Sequence, residues 1–177
     1  METVELKGGQ KLCLRPAQPE DAAQIIQFLN CIGGESDFLL FGAGECVISE
    51  EEECAYIQRT ARTENALMLL GLVEDEIVSV SQIVPGGRAR IAHTCEVSIS
   101  VRKKFWGCGV GGAVMRQLIA FAQHAEGLRS MALGVNEANS RALSLYRKLG
   151  FVEYGRYPHF FCVDGTYFDE ILMVQNV

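Results

Sequence analysis

Four of the six residues in Gly107-Cys108-Gly109-Val110-Gly111-Gly112 are glycine, and the stretch lies between an alternating apolar segment and a strongly amphipathic one. Glycine lets a backbone approach a ligand closely. The unpaired amides that open a helix, together with its dipole, favour an anion such as phosphate. Arg102, Lys103 and Lys104 just upstream add local positive charge. From the residues alone two readings stand: a loop that holds a phosphate-rich ligand, or a tight turn that lets a helix pack on a sheet. Residues 107, 109 and 112 formally match G-x-G-x-x-G. A dinucleotide fold, however, sets that loop directly after its first strand, with most of a parallel sheet still to come. Here antiparallel-looking strands precede the loop and little chain follows it. Glu137 keeps the dinucleotide alternative open as a stand-in for the ribose-binding acid. A Walker loop is excluded, because no Lys-Ser or Lys-Thr follows the glycines.

Three further residues have types that do chemistry. From Cys95 the chain alternates, with Cys95, Val97, Ile99 and Val101 on one face and Glu96, Ser98 and Ser100 on the other. That places Glu96 in a polar cleft or in plain solvent. Tyr146 shares a helical face with Ala142, Leu143 and Leu149, so it has a core-filling role as well as a chemical one open to it. Asn139 suits the cap of that helix. The seven cysteines are odd in number and form no C-x-x-C pair, which fits reduced thiols better than disulfides. His93, His124 and His159 have no Cys or His at ligand spacing, and no metal is expected.

These residues need a scaffold, and composition bounds it. A 177-residue chain with 49% hydrophobic and 21% charged residues folds as one domain without staples. Its net charge of −6 gives no general footprint for nucleic acid or an anionic membrane, so any anion site is local. The longest apolar run, Ala66 to Val73, is far short of a membrane span, and the N-terminus is acidic where a signal peptide would be basic. These features point to the cytosol.

Along the chain, Lys11 to Pro16 reads as a short strand, followed by a helix from about Glu20 to the Gly33-Gly34 stop. Glu35 to Ile48 has no clear period. Ser49 and Glu52 have the form of a capping box for a helix running to about Thr63. Three antiparallel strands follow in Ala66–Val73, Ile77–Val84 and Arg90–Val101. The second half reads as the glycine loop, a helix from about Gly109 to Glu126, a strand at Met131–Val135 and a helix from about Asn139 to Leu149. A hairpin around Asp164-Gly165 closes the chain. The class is α+β with a mixed sheet, in one domain over residues 1–177.

Val101 through Gly112 (V-R-K-K-F-W-G-C-G-V-G-G) resembles the acetyl-CoA pyrophosphate loop of the GNAT superfamily of N-acetyltransferases, and Val135 to Phe151 (V-N-E-A-N-S-R-A-L-S-L-Y-R-K-L-G-F) resembles the helix that follows it there. With Leu14-Arg15-Pro16-Ala17 and the closing hairpin, the resemblance covers essentially the whole chain. Trp106 departs from it, since the family more often has Gln or Arg there. The resemblance implies a mixed, mostly antiparallel sheet of about six to seven strands flanked by about four helices. In it, the strand ending at Val101 splays from Met131–Val135. The residues implied at acetyl-CoA are Ile99, Ser100 and Val101 through the backbone, Trp106 to Gly112 at the pyrophosphate, and Asn139 and Tyr146 near the thioester. The implied reaction is direct transfer: an amine attacks the acetyl carbonyl, an oxyanion forms near the Ile99 amide, and thiolate leaves. Glu96 would then serve as base through water and Tyr146 as acid. Bacterial small-molecule acetyltransferases are the most similar members, and the aromatic and acidic residues of the implied pocket suit a small cationic amine or an amino-acid-like acceptor. Acetylation of a protein N-terminus or lysine is the second acceptor class, and a non-catalytic acyl-CoA-binding module is the reading from another class. The acceptor pocket would be built from Glu35–Ile48 and Tyr154–Asp169, with Phe38, Phe41, Glu45, Tyr157, His159, Tyr167 and Asp169 as its aromatic and acidic candidates. Aromatics near the last hairpin permit a homodimer.

Overall fold

The computed structural model describes residues 2–177. Its elements, in chain order, are β1 (Glu2–Glu5), β2 (Lys11–Pro16), α1 (Ala22–Gly33), α2 (Glu50–Arg62), β3 (Leu67–Val73), β4 (Glu76–Pro85), β5 (Thr94–Val101), α3 (Val110–His124), β6 (Ser130–Asn136), α4 (Ser140–Lys148), β7 (Val152–Val163) and β8 (Thr166–Asn176). The strands form one sheet in the order β1-β2-β3-β4-β5-β6-β8-β7. All neighbours are antiparallel except β5 and β6, which run parallel. The sheet has one strand more than expected. The extra one, β1, is four residues long and mostly exposed, too short to show a hydrophobic alternation.

The helices start and stop where their end groups dictate. Ser49 accepts from the Glu52 amide while Glu52 accepts from Ser49 N–H, the reciprocal cap anticipated for α2, and four glutamates in the first turn face the positive end of the helix dipole. Helix α3 begins after Gly109 in a left-handed conformation and α4 is capped by Asn139. Residues 90–93, expected to extend β5, instead form turns in which Ile91 N–H donates to Arg88 and Thr94 N–H to Ile91.

Two hydrophobic clusters occupy the two faces of the sheet. One packs α3 and α4 against residues such as Val97, Met131, Leu133, Ile171 and Met173. The other packs α1 and α2 against Met68, Leu70, Leu72, Ile77 and Val80, which belong to β3 and β4. The first helix pair therefore covers only part of its face. Over β5, β6 and β8 that face carries Glu96, Ser98, Ala132, Gly134, Glu170 and Leu172 instead of a buried apolar layer.

Candidate active site: a slot through the sheet

Strands β5 and β6 pair at only three positions, Thr94 with Ser130, Cys95 with Met131 and Glu96 with Ala132, and then part. Each is held along its outer edge through seven pairs, β5 to β4 and β6 to β8, so each follows its own half of the sheet. The gap opens into a cleft of about 1150 Å³ lined by residues of both faces, Val97 and Leu133 as well as Glu96 and Gly134. That exceeds the ~300–1,000 Å³ usual for a single small ligand and suits two substrates meeting. Arg102 N–H donates to Val78 C=O, which fixes the parity of the antiparallel ladder. Val97, Ile99 and Val101 thus direct their backbone groups to the β6 side. The Val101 carbonyl is already taken by the Trp106 indole N–H at 2.8 Å. Trp106 is in turn covered by the Arg141 guanidinium, 4.9 Å from its ring centre. The residue that departs from the family pattern thus closes the end of β5, and Val97 and Ile99 keep the backbone groups for a ligand.

At one mouth of the slot lies the glycine loop. Gly107 and Gly109 have φ of 80° and 103°, conformations that L side chains rarely adopt, and a Cβ on either would meet nothing within 4 Å. The amides of Gly107, Gly109, Val110, Gly111 and Gly112 have no partner among the described residues, while Cys108 N–H donates to Phe105 and Ala113 N–H to Gly109. A bare cradle of amides at a helix N-terminus fits the pyrophosphate of CoA. Cys108 and Val110 take no side-chain part. The Cys108 carbonyl accepts from Lys7 N–H, and Val110 is buried in the core, so neither lines the cleft.

Helix α4 brings Asn139 and Tyr146 to the same cleft. Asn139 Oδ1 accepts from Ala142 N–H at 3.1 Å, so it is a helix cap and still a lining residue. Tyr146 is 8% exposed, its ring 5.9 Å from that of Phe151, and its hydroxyl has no hydrogen bond among the described residues. Burial pushes the phenol up to about 12. The side chain is both core and cleft wall, which unites the two sequence readings.

On the other face Glu96 is exposed and lines the cleft, in the polar position its alternation indicates. Glu170 lines it too, a residue sequence reasoning missed. Burial first, and then the Glu96 charge, raise the Glu170 carboxyl above its ordinary value. Its signal was an acid inside the apolar run of β8, immediately after the Asp169 that attracted attention instead. Asp169 does not line the cleft: it is bound to Arg156 at 3.0 Å and accepts from His159 N–H. Tyr157, His159 and Tyr167 likewise lie outside the cleft, and Glu45 is spent on Gly42 N–H at 2.8 Å. Of the seven acceptor-side candidates, Phe38 and Phe41 line it, joined by Tyr154 and Phe161.

The segment without period, 35–48, forms a lid over this half. It folds back so closely that a Cβ on Gly33 would fall 2.5 Å from the Gly42 carbonyl oxygen. Glu35 fastens it to the end of β5, accepting from Arg102 Nε at 3.0 Å and Lys103 N–H at 2.7 Å. Those contacts hold the Glu35 carboxylate below its usual range despite the cost of burial. Among the described residues no helix is long and apolar enough to cross a membrane, and no group of His, Cys, Asp and Glu is arranged to hold a metal.

The model of the acetyltransferase (GNAT) family matches residues 37–151. YwnH of Bacillus subtilis (strain 168), provisionally named a phosphinothricin acetyltransferase, is 32% identical over 83 residues. That match spans 47% of this chain and about half the relative's length, 50%. A GNAT-family acetyltransferase from Streptococcus pneumoniae superposes with a TM-score of 0.91 at 29% identity, over 94% of this chain and 99% of that one. YncA of Salmonella typhimurium, whose structure contains acetyl-CoA, shares the fold with a TM-score of 0.81 at 18% identity, over 93% of each chain. The matched stretch runs through β5, the glycine loop, β6 and α4, the strands that part and the elements at one mouth of the slot, and the chain belongs to the GNAT family of acetyltransferases.

Proposed function

We propose that the protein transfers the acetyl group of acetyl-CoA directly to the primary amine of a small molecule. The observation that carries this is the slot itself: a bare amide cradle and a buried tyrosine at one mouth, a carboxylate-lined opening at the other, and a splayed backbone between them. Acetyl-CoA would supply an activated acyl group and a thiolate leaving group. The amides of Gly107, Gly109, Val110, Gly111 and Gly112 hold the pyrophosphate, and Val97 and Ile99 pair with the pantetheine arm through their backbone. The Ile99 amide donates to oxygen charge as it develops. Tyr146 gives its hydroxyl proton or hydrogen bond to the departing sulfur. Glu96, on the acceptor side, takes a proton from the acceptor's ammonium through water and so frees the neutral amine that attacks.

The test is product formation from acetyl-CoA over a panel of amines, amino acids and a short peptide, with free CoA quantified by chromatography, since the cysteines would blur a thiol dye. Acceptor-dependent CoA release is expected. Glu96→Gln should lower the rate most at low pH, where less amine is neutral, and an unchanged pH–rate profile would remove Glu96 from this role. Saturable acetyl-CoA binding with no release for any acceptor would support a binding module instead.

A further inference from the structure

The acceptor half of the slot has a one-sided charge. Three carboxylates line it; Glu35 is spent on Arg102 and the Lys103 N–H, which leaves Glu96 and Glu170, and these point to the same face: Glu96 pairs with Ala132 and Glu170 with Asn136, four residues apart along β6 and so on one side of the pleat. The cations that line the cleft are Lys7, Arg141 and Lys148, and all three belong to the other mouth. Lys7 is bonded to the glycine loop, Arg141 stacks on Trp106, and Lys148 lies on α4. The two arginines nearest the acceptor side are already committed, Arg102 to Glu35 and Glu76, and Arg156 to Glu137 and Asp169. Glu170 also has a place made for it. A Cβ on Gly134 would collide with its carboxylate, so the absence of a side chain there lets Glu170 lean over β6 toward the slot. No hydrogen bond or ion pair to its carboxylate is recorded among the described residues, so the charge that would complete it is one that a ligand brings.

We propose that the acceptor is a cationic amine with no carboxylate on its amine-bearing carbon, and that Glu170 is the residue that sets this preference. The inference rests on the transferase reading and narrows its substrate class. An amine that carries its own carboxylate would set a third negative charge against Glu96 and Glu170 with no cation to answer it, and like charges juxtaposed in a partly desolvated site select strongly against a ligand. The phenyl rings of Phe38, Phe41 and Phe161 provide apolar walls for the body of such an amine. The raised carboxyl of Glu170 is the electrostatic mark of the same arrangement, two acids short of a partner.

The experiment compares matched pairs that differ only in that carboxylate: 3-methylbutylamine against leucine, and phenethylamine against phenylalanine, with the amide of phenylalanine as a neutral control. The expected result is a kcat/KM at least about 100-fold higher for the member without the carboxylate, with the amide closer to the amine than to the acid. Glu170→Gln should cut that ratio to below about tenfold, mainly by raising the KM of the amine, while kcat changes less. Gly134→Ala, which keeps the charge but displaces it, should act in the same direction. Retained acetyl-CoA binding shows that either variant is folded. Equal rates for the two members, a preference for the carboxylate, or a ratio untouched by Glu170→Gln would overturn the inference and leave the transferase reading intact. CoA release that no member accelerates would strike at the transferase reading itself, and the inference would fall with it.

Discussion

A phenol at about 12 is a weak acid, which defines what Tyr146 contributes. A thiol in water ionises near ~8.5, so complete proton transfer from this tyrosine to a free thiolate runs uphill. In the proposed transfer its value would lie in an O–H that hydrogen-bonds the sulfur as charge builds, in a site where burial keeps the proton on oxygen across the neutral and alkaline range. Tyr146→Phe should lower kcat about 100-fold, the lower end for general acid catalysis, and leave the acetyl-CoA Kd unchanged. Because the pKa is raised, Tyr146 stays protonated below it and adds no descending alkaline limb before about pH 10. The wild-type rate should climb as the amine loses its proton and then level. A descent between pH 8 and 10 that disappears in Tyr146→Phe would show that the tyrosine ionises earlier than its burial dictates. At this scale Glu96 and Tyr146 were singled out by the family resemblance, while strand alternation and helix position alone left each with two readings, and both line the cleft. Glu170 was not, because its approach to the slot depends on a glycine on a neighbouring strand, and such a pairing exists only once the register is known.

Elements with strong local signals matched their expected places. Those include the capping box of α2, the hairpin between β7 and β8, and the alternating part of β5 from Cys95 onward. The lid over residues 35–48 escaped because contacts remote in sequence hold it, Glu35 with Arg102 and Gly33 against Gly42, rather than any period of its own. The loop ahead of α3 is the element whose backbone amides the proposed function uses. Gly109→Ala places a Cβ in open space, yet at φ 103° the side chain still strains the backbone by about 1–2 kcal/mol. A modest fall in Tm with an acetyl-CoA Kd raised at least about tenfold is expected. Calorimetric titration and a thermal melt read both, and a normal Kd in the variant would show that the loop amides do not hold the ligand.

The whole molecule is one sheet that parts into two halves, with a helix pair and an apolar cluster on each of its faces. Little in local patterning announces where they part, because β5 and β6 each read as ordinary strands and the divergence arises from their outer partners. Near the far edge, Arg15 on β2 grips Asp21 at the entry to α1 through two 2.7 Å bonds. The Arg15 hydrogen bond holds the Asp21 carboxyl below its usual range against the opposing cost of burial. A depressed carboxyl contributes stability that is complete above its unfolded value of ~3.9 and is lost as pH falls through the folded one. Asp21→Asn should therefore cost about 1 kcal/mol at neutral pH, discounted for partial exposure of the pair, and the gap from wild type should close in acid. Urea melts from pH 7 down to pH 2 measure it, and a gap that does not narrow as the pH falls would assign the loss to packing. The slot through the sheet also governs traffic. With a doorway on each face, the proposed transfer would not make donor and acceptor queue, and spent CoA and acetylated product would leave on opposite sides.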